Sequence, residues 1–267
     1  SFRDLRVLAV ATGGVDHNGG RPGDPAAYYE ENGRFFLFPG TINILLAINA
    51  CLPPAALVKA VITATEAKSG ALLELLVPSC YSEELATGSG TDGIIVASDP
   101  AAPLVLTDAG HHSKLGELIG LTVREAVKKA LALETGCTPE RQRDVLVRLK
   151  RFGLDEEALW RRFCEQYPGV TGREGYLAAL RELAGRPDLV AQVSCLLHLA
   201  DQVRWGLLRA TEAWQISQSL LPGAGLEARP PAADTTAPQR AFPDLVAGRL
   251  NHLVWKHVAG SGPGAGK

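Results

Sequence analysis

The residues best suited to chemistry lie in two segments of the first half of the chain. The first is Ala86-Thr-Gly-Ser-Gly-Thr-Asp92, and the second, residues 110–120, places His111 and His112 just ahead of an amphipathic helical pattern. Glycines and small hydroxyl residues let a backbone approach a ligand closely. A histidine can transfer protons near neutral pH. The two segments therefore predict one active site that the rest of the chain supports.

Two of three chemistries find little support in the spacing. Phosphate binding would use the Gly-rich segment, but this segment lacks the lysine of a P-loop and precedes a predicted strand, whereas a P-loop precedes a helix. Metal-assisted hydrolysis would need His112, Asp92, Glu66 and Asp24 to meet in space, and no ligand spacing requires it. The five cysteines form no C-x-x-C pair, so no structural zinc is expected.

Acyl transfer or amide hydrolysis uses more of these residues. Thr87, Ser89 or Thr91 could act as a nucleophile or orient water, and backbone N–H groups of the glycines could hold an oxyanion. His112, kept neutral by the dipole of the helix that follows, would be the base.

Hydrophobic patterning predicts an α/β (α+β) fold for the first half, in which helices pack on a layered mixed or largely antiparallel sheet. Residues 93–97 and 103–107 are expected to form a hairpin. The predicted strands are Leu5–Ala11, Arg34–Phe38, Thr41–Asn49, Gly93–Ala97 and Pro103–Thr107, and the predicted helices cover residues 54–77 and 113–134.

Polar residues next to the predicted strands are further candidates. The loop 16–25 follows a strand predicted to be buried, which is where α/β folds place ligands, so His17, Asn18 and Asp24 are candidates. Turn formation alone would also explain the Asn and the Asp. Thr41 and Asn43 share one face of their strand, where a neighbouring strand or a ligand would satisfy them.

The second half of the chain predicts an all-helical region. Helices are expected over residues 139–152, 155–167, 173–184, 187–220 and 242–258. The predicted domains are an α/β domain over 1–137, a helical extension over 138–221, a flexible linker over 222–241, and a C-terminal helix with a disordered tail over 242–267.

Composition narrows the classes of partner. A net charge of −2 predicts no binding to nucleic acid or an anionic membrane. No apolar run approaches the ~20 residues that span a bilayer. The first residues lack the pattern of a signal peptide, so a cytoplasmic protein is expected.

Four segments, in order, resemble the signature segments of the adenosylcobinamide amidohydrolase family (CbiZ). They are Gly40-Thr-Ile-Asn-Ile44, Thr65-Glu-Ala-Lys68, residues 86–92 and residues 110–120, and the loop with Asn18 and Gly23-Asp-Pro25 is similar too. The resemblance covers roughly residues 5–135. Ser89 stands where the family has a threonine, and His111 where a glycine is usual, so His112 is the family's histidine.

The resemblance implies a hydrolase of corrinoid salvage. It would cleave the amide that joins aminopropanol to a propionate of the corrin ring of adenosylcobinamide, giving adenosylcobyric acid and (R)-1-amino-2-propanol. The alternatives are a non-catalytic corrinoid-binding protein and a Gly-rich-loop phosphotransferase. No cofactor is expected, and the corrinoid with its cobalt is the substrate. Dependence on a divalent metal and assembly into a homo-oligomer are left open.

The roles that follow from the resemblance are hypotheses. His112 is the general base, Glu66 or Asp92 orients it or water, and Lys68 or the amides of Gly88 and Gly90 stabilise the oxyanion. Thr91 joins this catalytic set. The residues expected to contact substrate are Asn18, Asp24, Thr41, Asn43, Thr87, Gly88, Ser89, Gly90, Lys114 and Glu117.

Overall fold

The computed structural model describes residues 1–27, 32–33, 39–221 and 237–260. The chain divides into two compact units, Ser1–Arg141 and Gln142–Lys267. The first unit is mixed α/β and the second is helical, which confirms the predicted fold class. The predicted strand at residues 34–38, most of the predicted linker and the tail after Gly260 lie outside the described residues.

A three-stranded mixed sheet is the centre of the first unit. Its strand order is β1–β3–β5, with β1 antiparallel and β5 parallel to β3. The elements of this unit are β1 (Val7–Gly13), β2 (Gly19–Gly20), β3 (Ile42–Ile48), α1 (Pro54–Glu74), β4 (Gly88–Ser89), β5 (Gly93–Ser98) and α2 (Lys114–Thr135). Parallel neighbours need a crossover connection, and α1 supplies it between β3 and β5.

The two long helices begin and end where their residues dictate. Pro54 opens α1, because a missing N–H costs nothing in a first turn. Ser113 caps α2 by accepting a hydrogen bond from the Gly116 amide, and Gly136 ends the helix in a left-handed conformation.

The helices pack on one face of the sheet. Ile42, Ile44, Leu46 and Ile48 alternate along β3 and are all buried in one core with residues of α1 and α2. The prediction that the first strand is buried is wrong, because β1 alternates between half-buried and exposed side chains. Only one of its faces is covered by helices.

The predicted hairpin is also wrong. β5 pairs with β3, and Val105 makes a single parallel bridge with Cys51 beyond the end of β3. The Leu104 carbonyl accepts from the Cys51 amide (2.8 Å) and the Leu106 amide donates to the Cys51 carbonyl (3.0 Å), so this segment is bonded to the chain after β3 and does not fold back on β5.

A second, two-stranded sheet joins two segments that the sequence predicts to be loops. Gly19 of β2 pairs with Ser89 of β4, and Gly20 pairs with Gly88. A Cβ on Gly19 would lie 2.7 Å from the Val15 carbonyl oxygen, so the tight approach requires glycine. This pairing brings the first loop to the Gly-rich segment.

The second unit has its own core of helices. They are α3 (Val145–Leu149), α4 (Glu156–Gln166), α5 (Arg173–Ala184), α6 (Pro187–Arg204), α7 (Ala210–Leu220) and α8 (Ala241–Gly260). The predicted helix 187–220 is two helices, because Gly206 turns left-handed just after α6. The predicted helix 139–152 starts later, where the Asp144 carboxylate caps α3.

No helix in the described part of the chain is both long and apolar enough to cross a bilayer.

A substitution at Gly116 tests the close approach between the start of α2 and the Gly110 carbonyl. A Cβ there would lie 1.9 Å from the Gly110 carbonyl oxygen, whereas Gly120 of the same helix has nothing within 4 Å. We expect Gly116→Ala to destabilise the first unit by at least ~1–3 kcal/mol through overpacking. Gly120→Ala, the matched control, should stabilise it by ~0.5–1 kcal/mol.

Hydrogen exchange of the α2 amides measures this difference. Tryptophan fluorescence would not, since Trp160, Trp205, Trp214 and Trp255 all lie in the second unit. Equal protection in the two variants would show that the approach of Gly116 to Gly110 is not tight.

Candidate active site

A cavity of about 420 Å³ lies among the loops of the first unit. Its wall combines α1, the loop after β1 and the Gly-rich segment around β4. Seven predicted site residues line it: Asn18, Asp24, Lys68, Thr87, Gly88, Ser89 and Gly90. The remaining wall includes the hydroxyls of Thr65, Ser69 and Tyr81, the Arg21 side chain and the apolar surfaces of Pro22, Pro25 and Ala27. Most of the exposed lining is therefore apolar, with a small number of polar groups placed on it, as is usual for small-molecule sites.

Lys68, which lines this cavity, forms an ion pair with the Asp92 carboxylate, which is not among the described lining residues. Only 9% of the Lys68 side chain and 12% of the Asp92 side chain are exposed. Removing a charge from water is costly unless it is paired and hydrogen-bonded, so this pair must be well satisfied.

Asp92 meets that demand with contacts from three elements. Its Oδ1 accepts from the Ile42 amide (3.0 Å) and the Ser89 hydroxyl (2.6 Å), and its Oδ2 accepts from the Ser89 amide (3.0 Å) and Lys68. A carboxylate offers about four acceptor positions, and all four are filled. Asp92 therefore ties α1, the start of β3 and the Gly-rich segment together.

Gly88 makes room for this pair. A Cβ at Gly88 would lie 2.4 Å from Asp92 Oδ2 and 2.6 Å from Lys68 Nζ. An ammonium has three N–H donors, and among the described contacts of Lys68 one donor goes to Asp92. The others are available to a ligand in the cavity that Lys68 lines.

Asn18 is buried and holds two loops against each other. Its amide nitrogen donates to the Gly40 carbonyl (3.0 Å) and the Thr91 hydroxyl (3.4 Å), and its oxygen accepts from the Tyr81 hydroxyl (3.1 Å). Tyr81 also lines the cavity. Sequence reasoning missed Tyr81, because only its position among Ser79 and Ser82 marks that segment as polar.

Thr41 and Thr91 connect the same loops, and neither is among the described residues that line the cavity. The Thr41 hydroxyl donates to the Thr91 carbonyl (2.7 Å), and the Thr91 hydroxyl donates to the Gly40 carbonyl (3.0 Å). Asn43 lies on the exposed face of β3, where its oxygen would be 2.8 Å from a Cβ on Gly93. These residues support the strand ends that border the cavity.

Asp24 anchors the loop after β1. It accepts from the hydroxyls of Ser79 and Ser82, both at 2.6 Å, and from the Arg21 amide at 3.0 Å. Burial raises the pKa of Asp24, but these hydrogen bonds and the Arg21 charge outweigh it and lower the pKa below its usual value. Arg21 in turn pairs with Glu84 at 2.9 Å.

The two histidines lie outside the cavity wall. His111 forms an ion pair with Glu66, and both side chains are more than half exposed. His112 is exposed, and the structure does not bring it to Glu66, which contacts His111, or to Asp92, which contacts Lys68. The Thr63 hydroxyl donates to the Ala109 carbonyl (2.8 Å) and holds this loop on α1.

Lys114 and Glu117 form an exposed ion pair with each other in the first turn of α2. They too are absent from the described cavity wall. Within the described ranges, no three His, Cys, Asp or Glu side chains come together as a metal site would need.

Comparison with known proteins assigns this unit to a family. The model of the adenosylcobinamide amidohydrolase family (CbiZ) matches residues 1–139, just over half of the chain. An uncharacterized protein of Methanocaldococcus jannaschii is 39% identical over 142 residues, which are 49% of this chain and 55% of that protein. The chain thus spans about half the length of that relative. No solved structure matches it.

Because Lys68 and Asp92 form a buried ion pair, substitutions of the two residues should have non-additive effects on the stability of the first unit. Asp92→Asn leaves a buried ammonium without its counter-charge and should destabilise the first unit by ~3–5 kcal/mol. Lys68→Met combined with Asp92→Asn should cost less than Asp92→Asn alone, since no buried charge remains. Hydrogen exchange of the β3 amides reports the free energies. If the double variant loses as much stability as Asp92→Asn and Lys68→Met lose separately when added together, the two residues are not coupled.

The lowered pKa of Asp24 predicts that its loop loses stability as the pH falls. Because its folded pKa lies below the unfolded value, its contribution is present above the unfolded pKa and is lost as pH falls through the folded pKa. We expect Asp24→Asn to lose loop protection at pH 7 and to show a smaller further loss between about pH 5 and 3 than the wild type.

Hydrogen exchange of the segment 77–87, corrected for intrinsic rates at each pH, measures this. Asp16→Asn, an exposed residue of the same loop, is the matched control. An acid limb of the same size in Asp24→Asn and the wild type would exclude Asp24 as its cause.

Proposed function

This chain belongs to the adenosylcobinamide amidohydrolase family, and from that membership we propose that it hydrolyses the aminopropanol amide of adenosylcobinamide. Water adds to the amide carbonyl carbon, the C–N bond breaks, and the amine leaves with a proton. The products are adenosylcobyric acid and (R)-1-amino-2-propanol. The observation that carries the proposal is the cavity lined by Lys68 and the Gly-rich segment, which lies within the residues that match the family.

The cavity suits the arm of the substrate better than its ring. Small-molecule pockets measure ~300–1,000 Å³, and this cavity of about 420 Å³ is at the lower end of that range. We place the amide and the aminopropanol inside it, with the much larger corrin ring at its mouth. The Thr87 hydroxyl can both donate to and accept from an amide and an alcohol. The hydroxyls of Ser69, Ser89 and Tyr81 already donate within the protein, so they can accept from the substrate.

Lys68 is the group that we assign to the oxyanion. When water attacks the carbonyl, negative charge develops on its oxygen, and a fixed cation in a partly desolvated site stabilises that charge. Lys68 has donors left after pairing with Asp92. Asp92 acts as a positioning residue, because its four acceptor positions are already filled by Lys68, Ser89 and the Ile42 amide.

His112 is the residue that we assign as the general base. It lies just before Ser113, the N-cap of α2, and its exposed imidazole can accept a proton from the attacking water. Its position outside the cavity wall means that it must approach the bound amide, a shift that is common between free enzymes and their substrate complexes. Glu66, paired with His111 on the neighbouring turn, would help to hold this loop.

A non-catalytic corrinoid-binding protein is the second candidate. One observation favours it. Asp24, which lines the cavity, and Asp92, which pairs with Lys68, are both committed to structural hydrogen bonds. A phosphotransferase is less well supported, because the charge of Lys68 is already balanced by Asp92.

The decisive assay incubates the purified chain with adenosylcobinamide, without added ATP or metal, and follows the corrinoid by mass spectrometry. Loss of aminopropanol with gain of a carboxylate is expected, and EDTA then tests dependence on a metal. An unchanged corrinoid that nevertheless binds would favour the binding protein. If the corrinoid is neither bound nor cleaved, both candidate functions are rejected.

Two adjacent histidines give a matched pair of variants. We expect His112→Ala to lower the turnover of adenosylcobinamide at least ~100-fold, since a general base contributes about that much. His111→Ala should keep turnover within a few-fold, because its exposed pair with Glu66 contributes little to stability. Turnover by folded His112→Ala close to that of the wild type would remove His112 from the mechanism.

A further inference from the structure

The face of the three-stranded sheet that points away from α1 and α2 is apolar and exposed. We call the outward residues of β1, β3 and β5 the open sheet face. They lie in three rows by strand register: Leu8, Ala47 and Ala97; Val10, Leu45 and Ile95; and Thr12, Asn43 and Gly93. None of the nine is charged.

The large side chains of this face are strongly exposed. Leu8 is 61%, Val10 53%, Leu45 46% and Ile95 67% exposed. Because Val10, Leu45 and Ile95 are direct neighbours across the strands, they form one continuous ridge. Val105, paired with Cys51 beyond the end of β3, is 60% exposed and continues the apolar surface.

The size of the face marks it as an interaction surface. Strands spaced ~4.8 Å apart, seven residues long in β1 and β3 and six in β5, at ~3.3 Å each, present on the order of 300 Å², of which the row of Thr12 and Asn43 is polar. An apolar patch that approaches ~300 Å² is comparable to the largest patch on a typical soluble monomer, and such patches are often functional.

We propose that the open sheet face packs against the same face of a second copy of this chain, related by a two-fold axis. A two-fold interface sets a surface against itself, so like charges on it would repel, and this surface carries none. The ridge of Val10, Leu45 and Ile95 lies beside a row in which Ala47 and Ala97 are small and only Leu8 is large, so the ridge of one copy can pack over the two alanines of the other. Sheets pack face to face in this way in β-sandwiches.

Charge argues against other occupants. Nucleic acid and anionic membranes are bound through lysine and arginine, and the nine outward residues include neither. A stable dimer buries ~800 Å² per partner, so the open sheet face supplies the apolar centre of the interface and its rim the remainder. Arg6, Asn49 and Asp99 border the face and have the polar character of such a rim.

The proposed dimer interface would lie next to the candidate site, and its residues would not form the wall of the cavity. Asn43 is on the open sheet face, and Gly93 follows Asp92 directly. Burying this end of the sheet would hold the strand ends to which Asp92 is bonded. The interface does not depend on the proposed hydrolysis, so an inactive protein could still be a dimer.

Sedimentation equilibrium of the full chain over about 1–100 µM tests the interface. The wild type should be a dimer. Ile95→Glu and Val10→Glu, on two different strands, should each weaken dimerisation at least ~100-fold by burying an unpaired charge. Leu133→Glu is the matched control: Leu133 is 90% exposed on α2, so this variant should dimerise as the wild type does. Circular dichroism confirms that each variant is folded.

A monomeric wild type over this range would overturn the proposal, as would folded Ile95→Glu and Val10→Glu variants that remain dimers. Photo-cross-linking from a benzoylphenylalanine at position 95 identifies the occupant independently of these variants. A link to β1, β3 or β5 of another copy is expected. A link only within one chain, or only to a bound corrinoid, would also overturn it.

Discussion

The buried ion pair between Lys68 and Asp92 is the interaction on which the first unit depends most. A lysine and an aspartate removed from water are tolerated only with full hydrogen bonding. Asp92 achieves this by accepting from α1, the β3 backbone and the Gly-rich segment at once. One carboxylate thus ties a residue inside a helix, the start of a strand and the turn of a loop together. Gly88 is required there because any side chain would collide with both charges.

The cavity is a consequence of this constraint. Once Asp92 holds the Gly-rich segment, Gly88 and Ser89 can pair with the loop after β1, and Asn18 closes the wall through Gly40 and Thr91. The result is a recess whose cation, Lys68, has donors left after pairing with Asp92. In the proposed hydrolysis, a preorganised charge of this kind would stabilise the carbonyl oxygen. His112, the proposed base, lies in contrast on an exposed loop outside the cavity wall.

Much of this arrangement is readable from sequence, because local rules decide it. Pro54, Ser113 and Gly136 mark helix ends through capping chemistry, and alternation along β3 predicts its buried face. The Gly-rich segment and Lys68, which the sequence predicts to share one site, line the same cavity. The resemblance to the adenosylcobinamide amidohydrolases carries the family assignment, which the match over residues 1–139 confirms.

What the sequence could not give depends on long-range partners. No local signal shows that Glu66 contacts His111 and leaves His112 apart, because both histidines precede the same helix. The short pairing of β2 with β4 joins residues far apart in the chain and has too few residues for a periodic pattern. The exposed outer face of β1 was unforeseen, since apolar strands look alike whether one or both faces are covered.

The proposed hydrolysis requires the aminopropanol arm of adenosylcobinamide to enter the cavity that Lys68 lines. The direct measurement is hydrogen exchange with adenosylcobinamide compared with adenosylcobyric acid, which lacks the arm. We predict that the arm adds protection to residues 65–69 and 86–92 beyond what the ring alone gives. Arm-dependent protection confined to the open sheet face or to the helical unit, with none at residues 86–92, would contradict it.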